Sequence, residues 1–183
     1  MENNLQMNKI ECKDLGLLKL SDDNLWQLFE WRNSHSFLNL LTARPKIDSL
    51  DNFKLELKHD FATDRHLQFI ICYRDIFIGT IYSYSYNKLD KFCFISVFVK
   101  EEFRNSGLGV KAVVVYSKFL FEYFNLFKIY FDIYALNYQL ISALTKRKIN
   151  VEGQFLNQHI NNGKRYDVSR FAIYLDDILN WNK

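Results

Sequence analysis

A strand, a loop and a long helix in the middle of the chain constrain the fold more than any other feature of the sequence. Phe92–Val99 is an almost unbroken apolar run, which indicates a strand buried on both faces. After a polar loop, Val110–Phe124 carries two lysines and one glutamate as a narrow polar stripe and is otherwise mainly apolar. We therefore expect this segment to be a helix that packs on a sheet.

The remaining patterns place further strands and helices around this unit. The order along the chain is two helices, a meander, a strand–helix–strand–helix series and a final hairpin. We therefore expect an α/β (α+β mixed) fold, a single domain over residues 1–183 with a central mixed, twisted sheet and helices on both faces. The predicted helices begin at Ser21 and near Leu50 and then span Val110–Phe124 and Tyr138–Ile149. The predicted strands are Leu67–Tyr73, Ile76–Tyr86, Phe92–Val99, Lys128–Ala135 and two after Val151 that are joined around Asn161-Asn162-Gly163.

The length and composition fit one domain and argue against several classes of protein. The chain has 183 residues and no linker rich in proline, glycine or serine. The net charge is +3 and the longest basic run is Lys146–Lys148, so we expect no nucleic-acid partner. Cys12, Cys72 and Cys93 lack metal-ligand spacing, and their odd number favours a reducing compartment. Because the sequence shows no signal peptide and no apolar run of membrane length, we expect a cytoplasmic protein with no membrane partner.

The loop in front of the long helix is the main candidate for a binding site. Glycines at the start of a helix allow the backbone to approach a bound group closely. The first turn of a helix also has unpaired N–H groups and a partial positive charge, which suit a pyrophosphate. An ordinary strand–loop–helix connection remains the alternative. The loop reads Arg104-Asn105-Ser106-Gly107-Leu108-Gly109.

This Arg-x-x-Gly-x-Gly pattern, after a strand that ends at Val99, resembles the acetyl-CoA loop of the GNAT superfamily of N-acetyltransferases. Asn137 closes the next strand, where this family places an asparagine beside the pantetheine arm. Val151-Glu152-Gly153, Asn162-Gly163 and Asp167 resemble the branch of ribosomal-protein alanine and amino-sugar acetyltransferases. Near the start, Glu30-Trp31-Arg32-Asn33 is similar to the Trp-Arg-Asn segment of bacterial amino-sugar acetyltransferases.

The resemblance implies an acetyl-CoA cosubstrate, no metal, and direct attack of an amine on the thioester. The strands at residues 92–99 and 128–135 would then diverge at their C-terminal ends, with the pantetheine between them. Trp31 and Arg32 would contact the acceptor, which we expect to be a small-molecule amine, in a monomer or a homodimer. The residues implied to contact acetyl-CoA are Phe98, Val99, Arg104, Asn105, Ser106, Gly107, Leu108, Gly109, Val110 and Asn137.

The sequence departs from the family at the positions that usually transfer protons. Phe94 stands where relatives often carry a carboxylate base, and Leu140 and Leu144 stand where they often carry an acid. In the loop, Glu101 replaces a common proline. At the end of the predicted helix after Asn137, Lys148-Ile149 replaces a common Gly-Phe.

Other residues must therefore supply the acid and the base if the chain is a catalyst. We expect Tyr138, next to Asn137, to protonate the thiolate and Ser96 to hold a water molecule. Asp132 and His35 are further candidates for the base. Tyr82, Tyr84 and Tyr86 alternate along one predicted strand and so are expected to share a face, which suits either a pocket or ordinary packing.

Two other nucleotide-binding classes fit the sequence less well. Gly107 to Ala112 also matches the Gly-x-Gly-x-x-Ala dinucleotide fingerprint, but a polar loop intervenes and Asp132 lies inside its predicted strand. The chain contains no Gly-Lys-Ser/Thr sequence, which argues against a P-loop phosphotransferase. A degenerate acetyltransferase domain that binds CoA without turnover remains an alternative. For an enzyme, the acceptor is expected to be an amino-sugar nucleotide or, alternatively, a protein N-terminus.

Overall fold

The structure is a computed structural model that describes residues 9–12, 14–41 and 44–181. The described chain forms eight strands and six α-helices, with two short 3₁₀ turns at Glu101–Phe103 and Ala135–Asn137. The strands are β1 (Lys9–Cys12), β2 (Leu15–Lys19), β3 (Arg65–Tyr73), β4 (Ile76–Asn87), β5 (Phe92–Val99), β6 (Lys128–Tyr134), β7 (Asn150–Asn161) and β8 (Lys164–Ile173). The helices are α1 (Asp22–Arg32), α2 (His35–Leu40), α3 (Leu50–Thr63), α4 (Leu108–Phe124), α5 (Tyr138–Lys146) and α6 (Leu175–Leu179).

All eight strands belong to one mixed sheet in the order β1-β2-β3-β4-β5-β6-β8-β7. Neighbouring strands are antiparallel except β5 and β6, which are parallel because α4 crosses between them. The β5–β6 pairing covers three residue pairs, from Phe92–Lys128 to Phe94–Tyr130. The remaining halves of these two strands therefore diverge, which places a gap in the middle of the sheet.

Helices cover both faces of the sheet, as the sequence predicted. On one face, α1, α2 and α3 bury Leu28, Phe37 and Phe53 against Ile70 and Phe98 of the sheet. On the opposite face, α4, α5 and α6 join a larger core. Each fully buried side chain of this size contributes about 1.5–3 kcal/mol of hydrophobic stabilisation. The prediction of a mixed α/β fold is confirmed.

The observed turns and element boundaries agree with the sequence-based predictions at some points and differ at others. The β7–β8 turn at Asn162-Gly163 has φ values of 48° and 75°, the positive values of a type I′ hairpin turn. Helix α5 ends at Lys146 instead of Ile149 because the chain turns at Lys148, where φ is 58°. The sequence pattern did not predict the β1–β2 hairpin or α2, since both elements are short.

The predicted tyrosine stripe on β4 is interrupted by a bulge. The β4–β5 register shifts between Tyr84 and Asn87, and Ser85 has a φ of 48°. Tyr82 and Tyr84 therefore remain on the face of α1–α3, whereas Tyr86 packs against Phe124 of α4 on the other face. The expectation that Tyr86 shares a face with the other two tyrosines was wrong, because one extra residue reverses side-chain alternation.

Candidate active site

A cavity of about 440 Å³ opens where β5 and β6 diverge. Its walls come from the second halves of both strands, from the start of α4 and from α5. Val97, Phe98 and Val99 line one side, and Phe131 and Ile133 line the other. We call this space the first cavity.

The Gly-containing loop forms the mouth of the first cavity. Gly107 is the N-cap of α4 and has a φ of 81°, a conformation that favours glycine. Leu108 N–H donates to the Ser106 hydroxyl oxygen at 3.3 Å. The next N–H groups, of Gly109 and Val110, lie in the first turn, where a helix supplies no carbonyl partner. Because Gly109 and Val110 line the cavity, this end of α4 is suited to bind an anion.

Arg104 braces the loop against β5. Its Nε donates to the Val99 carbonyl oxygen at 3.0 Å, and its guanidinium lies 5.9 Å from the Phe98 ring centre. Gly109 also lies against β5, since a Cβ placed there would lie 3.1 Å from a Val99 methyl carbon. These contacts show that Arg104 fixes the loop to the end of β5.

Gly79 on β4 is a close-packed position that the sequence analysis did not single out. A Cβ at this residue would lie 2.0 Å from the carbonyl oxygen of Phe98. Only glycine therefore permits β4 to pair so closely with the part of β5 that lines the first cavity. A single glycine inside a strand-like run signals such an approach only weakly.

The far wall of the first cavity is mostly apolar. Leu140 and Leu144 of α5 line it together with Asn137, which stands at the N-cap of that helix. Trp181 also lines it, and its buried Nε1 has no hydrogen-bond partner within the described residues. An unpartnered buried donor is costly unless a ligand or water meets it, so an acceptor atom of a bound molecule would stabilise this position.

A second cavity, of about 460 Å³, lies on the α1–α3 face of the sheet. Ser96 of β5 and Asp132 of β6 line both cavities, as do Leu40 and Leu41 at the end of α2. The two spaces therefore meet at the gap between β5 and β6. A ligand in one can come close to a ligand in the other across the plane of the sheet.

Carboxylates and arginines line the second cavity as paired groups. Arg32, which is 5% exposed, donates to both Glu56 carboxylate oxygens at 3.1 and 3.3 Å. Asp60 accepts a hydrogen bond from Arg44 at 2.9 Å and forms an ion pair with Arg65 at 2.9 Å. The buried Nη1 of Arg32 has no partner among the described residues. It is therefore available to donate to an oxygen of a bound molecule.

Asp132 is also held by an arginine. Arg170 of β8 donates from Nε and Nη2 to the two Asp132 oxygens at 2.7 and 2.8 Å. The hydrogen bond to Asp132 raises the pKa of Arg170 above its ordinary value. The guanidinium also lies over the rings of Phe94 and Phe155, at 4.6 and 4.9 Å from their centres. Asp132 is thus a fixed, charge-compensated carboxylate at the junction.

Tyrosines and one histidine form the rest of this polar wall. Tyr82, Tyr84 and Tyr134 line the second cavity, and burial raises the pKa of Tyr84 and of Tyr134. His159 of β7 stacks flat on Tyr134, with ring centres 3.7 Å apart and planes 6° apart. No local sequence pattern marks His159 as a site residue, because it meets Tyr134 across β8.

The proposed catalytic residues lie in different surroundings. Ser96 lies at the junction of the cavities. Tyr138 is 69% exposed, and the lining of the first cavity passes from Asn137 to Gln139 without it. His35 is exposed on α2 and hydrogen-bonds Asn39. The catalytic roles of Ser96 and Tyr138 remain predictions.

The proposed binding residues also separate into two groups. Phe98, Val99 and Asn137 line the first cavity with five residues of the loop region, whereas Ser106 and Leu108 support the loop beside it. Those five residues are Arg104, Asn105, Gly107, Gly109 and Val110. Arg32 lines the second cavity, but Trp31 is 5% exposed and packs on Phe98 in the core.

The described residues contain neither a metal-binding cluster nor a membrane-spanning helix. No group of three or more His, Cys, Asp or Glu side chains there is arranged to hold a metal ion. Likewise, the helices of the described segments are all too short or too polar to cross a bilayer.

Comparisons with solved structures identify the fold. A spermidine N-acetyltransferase from Vibrio cholerae, solved with CoA and spermine, superposes with a TM-score of 0.80 at 19% identity, covering 92% of this chain and all of that one. A dodecameric form of the Vibrio cholerae enzyme gives a TM-score of 0.77 at 19% identity, covering 94% of this chain and 100% of that one. A protein described as a putative acetyltransferase gives 0.73 at 14% identity, covering 96% and 89%. No family model and no curated protein matches the sequence. The chain therefore shares the fold of these spermidine N-acetyltransferase structures.

Proposed function

We propose that this chain is an acetyl-CoA-dependent N-acetyltransferase that acts on a small primary amine. The observation that carries the proposal is the pair of cavities on opposite faces of the sheet, which meet at Ser96 and Asp132. Direct acyl transfer needs two substrates held in contact in the right orientation, and this junction provides a place for that contact.

The first cavity fits the cosubstrate. The first turn of α4 and the loop at Gly107 suit the pyrophosphate, and the unpaired edges of β5 and β6 beyond Phe94 and Tyr130 suit the amide arm. When bound, acetyl-CoA supplies an activated acetyl group as a thioester. Backbone N–H groups near Phe98 and Val99 would then polarise its carbonyl, in the manner of an oxyanion hole.

The second cavity supports an acceptor with one amine on a polar body. Its carboxylates Glu56, Asp60 and Asp132 are each paired with arginine, so little surplus negative charge remains to bind several ammonium groups. Tyrosine rings, and the Arg32 Nη1 that no described residue pairs with, suit the faces and oxygens of a sugar. We therefore propose an amino sugar, such as one attached to a nucleotide, as the acceptor.

A polyamine is the second candidate acceptor. The spermidine N-acetyltransferase from Vibrio cholerae, whose structure contains spermine, has the same fold. Four carboxylates line the second cavity when Asp64 is included. A polyamine would have to compete with the arginines for them, and for that reason we place it second.

The proposal is tested first by binding and then by turnover. Acetyl-CoA at about 100 times its Kd should stabilise the protein by about 2.7 kcal/mol, and NAD should give no shift in Tm. Thiol release should then be measured with a nucleotide-linked amino sugar, spermidine and an N-terminal peptide.

Each outcome has a distinct meaning. Thiol release with the amino sugar supports the proposal, and release with only spermidine or only the peptide replaces the acceptor class. Stabilisation by acetyl-CoA without release from any amine would indicate a degenerate CoA-binding domain. A Tm that responds to NAD and not to acetyl-CoA would overturn the proposal.

A further inference from the structure

His159 is a buried imidazole with an unmet hydrogen-bonding position. It is 6% exposed, it lines the second cavity, and its buried Nε2 lacks a partner in the part of the chain that the structure describes. Leaving a buried polar nitrogen unpaired costs about 1–3 kcal/mol. Such a group in a cavity is best explained by a ligand or a water molecule that completes it.

The surroundings of His159 keep the ring fixed and neutral. The flat stack on Tyr134, 3.7 Å between ring centres, restricts the orientation of the imidazole. Burial lowers the pKa of His159 below its ordinary value. In the neutral ring that keeps its proton on Nδ1, Nε2 has a free lone pair.

Among the described residues, no carboxylate of this cavity pairs with the imidazole. The four carboxylates that line the cavity are engaged elsewhere, three by arginines and Asp64 by the backbone N–H and hydroxyl of Ser85. The groups that share the cavity with His159 are Arg32, Arg44, Glu56, Asp60, Asp64, Arg65, Tyr82, Tyr84, Asp132 and Tyr134, and Tyr166 is its β8 register partner.

We propose that His159 is the general base of this site, accepting through Nε2 a proton from the ammonium group of the acceptor. This inference rests on the proposed function and adds a residue to it. Asp132 of β6, the other candidate base that lines this cavity, accepts two hydrogen bonds from Arg170. Because the cavity has little free negative charge, burial there also makes the bound ammonium more acidic than it is in water.

The reaction balances with one proton on the imidazole. The ammonium gives its first proton to His159 Nε2, and the nitrogen lone pair then forms the bond to the acetyl carbonyl carbon. The carbon–sulfur bond breaks and its electron pair leaves on sulfur. The nitrogen releases a second proton to solvent, and the sulfur receives one either from solvent or from Tyr138, which solvent then reprotonates. The products are the amide, the thiol and an imidazolium, which returns its proton to solvent.

The test compares His159→Gln with the matched control His59→Gln. His59 is an exposed histidine on α3, so the same substitution there should leave activity unchanged. A positioned general base contributes about 10²–10⁴-fold to rate, and His159→Gln should lose at least tenfold in kcat/KM with the panel amine that gives the fastest thiol release. The acetyl-CoA shift in Tm should be retained.

A pH profile from about pH 5 to about pH 9 separates a base from a structural residue. In the natural protein, kcat/KM should rise through the lowered pKa of His159 and then level off below the pKa of the amine. In His159→Gln it should rise in proportion to the free amine over the whole range. Added imidazole should restore part of the activity of His159→Ala.

An NMR titration examines the natural protein itself and uses a variant only to assign the signal. The His159 imidazole signal in a nitrogen–proton NMR spectrum, assigned by its loss in the variant, should titrate below the ordinary histidine pKa and show the Nδ1–H tautomer. Titration at or above that value would overturn the inference. Full activity in His159→Gln would also overturn it and leave the proposed function intact, whereas a natural protein that acetylates no amine would overturn both.

Discussion

Gly107 and Gly163 form a matched pair for testing the role of the loop at the start of α4. Both have positive φ values, 81° and 75°, and a Cβ built on either residue meets no atom of the described segments within 4 Å. They differ in position, because Gly107 lines the first cavity and Gly163 lies in the turn between β7 and β8.

Replacing either glycine with alanine should cost a similar amount of stability. A residue with a Cβ in the left-handed region costs roughly 1–2 kcal/mol, which lowers the Tm of a chain of this size by about 2–8 °C. Without ligand, Gly107→Ala and Gly163→Ala should therefore melt within a few degrees of each other. The two variants should differ only when acetyl-CoA is present.

The open space beside Gly107 is where the proposed pyrophosphate lies, so the new methyl group should obstruct it. At a concentration near 100 times the Kd of the natural protein, acetyl-CoA should stabilise Gly163→Ala by about 2.7 kcal/mol. A tenfold weaker Kd in Gly107→Ala reduces that to about 1.4 kcal/mol, and a hundredfold weaker Kd to about 0.4 kcal/mol. Differential scanning fluorimetry over a range of acetyl-CoA concentrations measures both values. Equal stabilisation of the two variants would refute the assignment of the loop as the binding segment.

Three further predictions address other parts of the site. Gly79→Ala should prevent folding or lower the free energy of unfolding by more than about 3 kcal/mol, because its Cβ would lie 2.0 Å from the Phe98 carbonyl oxygen. Chemical denaturation measures this change, and a loss below about 1 kcal/mol would contradict the prediction. Arg32→Lys should raise the KM for the acceptor without changing the KM for acetyl-CoA, since it keeps the charge beside Glu56 but removes the guanidinium Nη1. Equal changes in the two KM values would argue against a role of Arg32 in acceptor binding. Tyr138→Phe should lower kcat at least tenfold at unchanged acetyl-CoA affinity if Tyr138 is the acid, and full activity would assign protonation of the thiolate to solvent.

The sequence predicted the parts of the fold that local patterns determine. The apolar run at residues 92–99 and the Gly-x-Gly loop before α4 specify a strand and the start of a helix. The Asn162-Gly163 turn likewise fixes its hairpin through backbone conformations that few residues adopt. Each of these signals depends only on neighbours in the chain.

The second cavity was less predictable because its contacts come from distant segments. Arg32 of α1 pairs with Glu56 of α3, and His159 of β7 reaches Tyr134 across β8. Spacing along the sequence gives no indication of either contact. The Ser85 bulge similarly reverses the face of Tyr86, and one positive φ value at a serine is not readable from residue type.

The early end of the β5–β6 pairing has a consequence for the order of events in the proposed reaction. Acetyl-CoA and the amine would enter from opposite faces of the sheet, so the occupancy of one entrance does not obstruct the other. Both substrates can then be present at once, and no acetylated form of the protein has to accumulate between them. Double-reciprocal plots of the initial rate, made at several fixed concentrations of the second substrate, should therefore intersect instead of running parallel. Each product should leave through the face by which its precursor arrived.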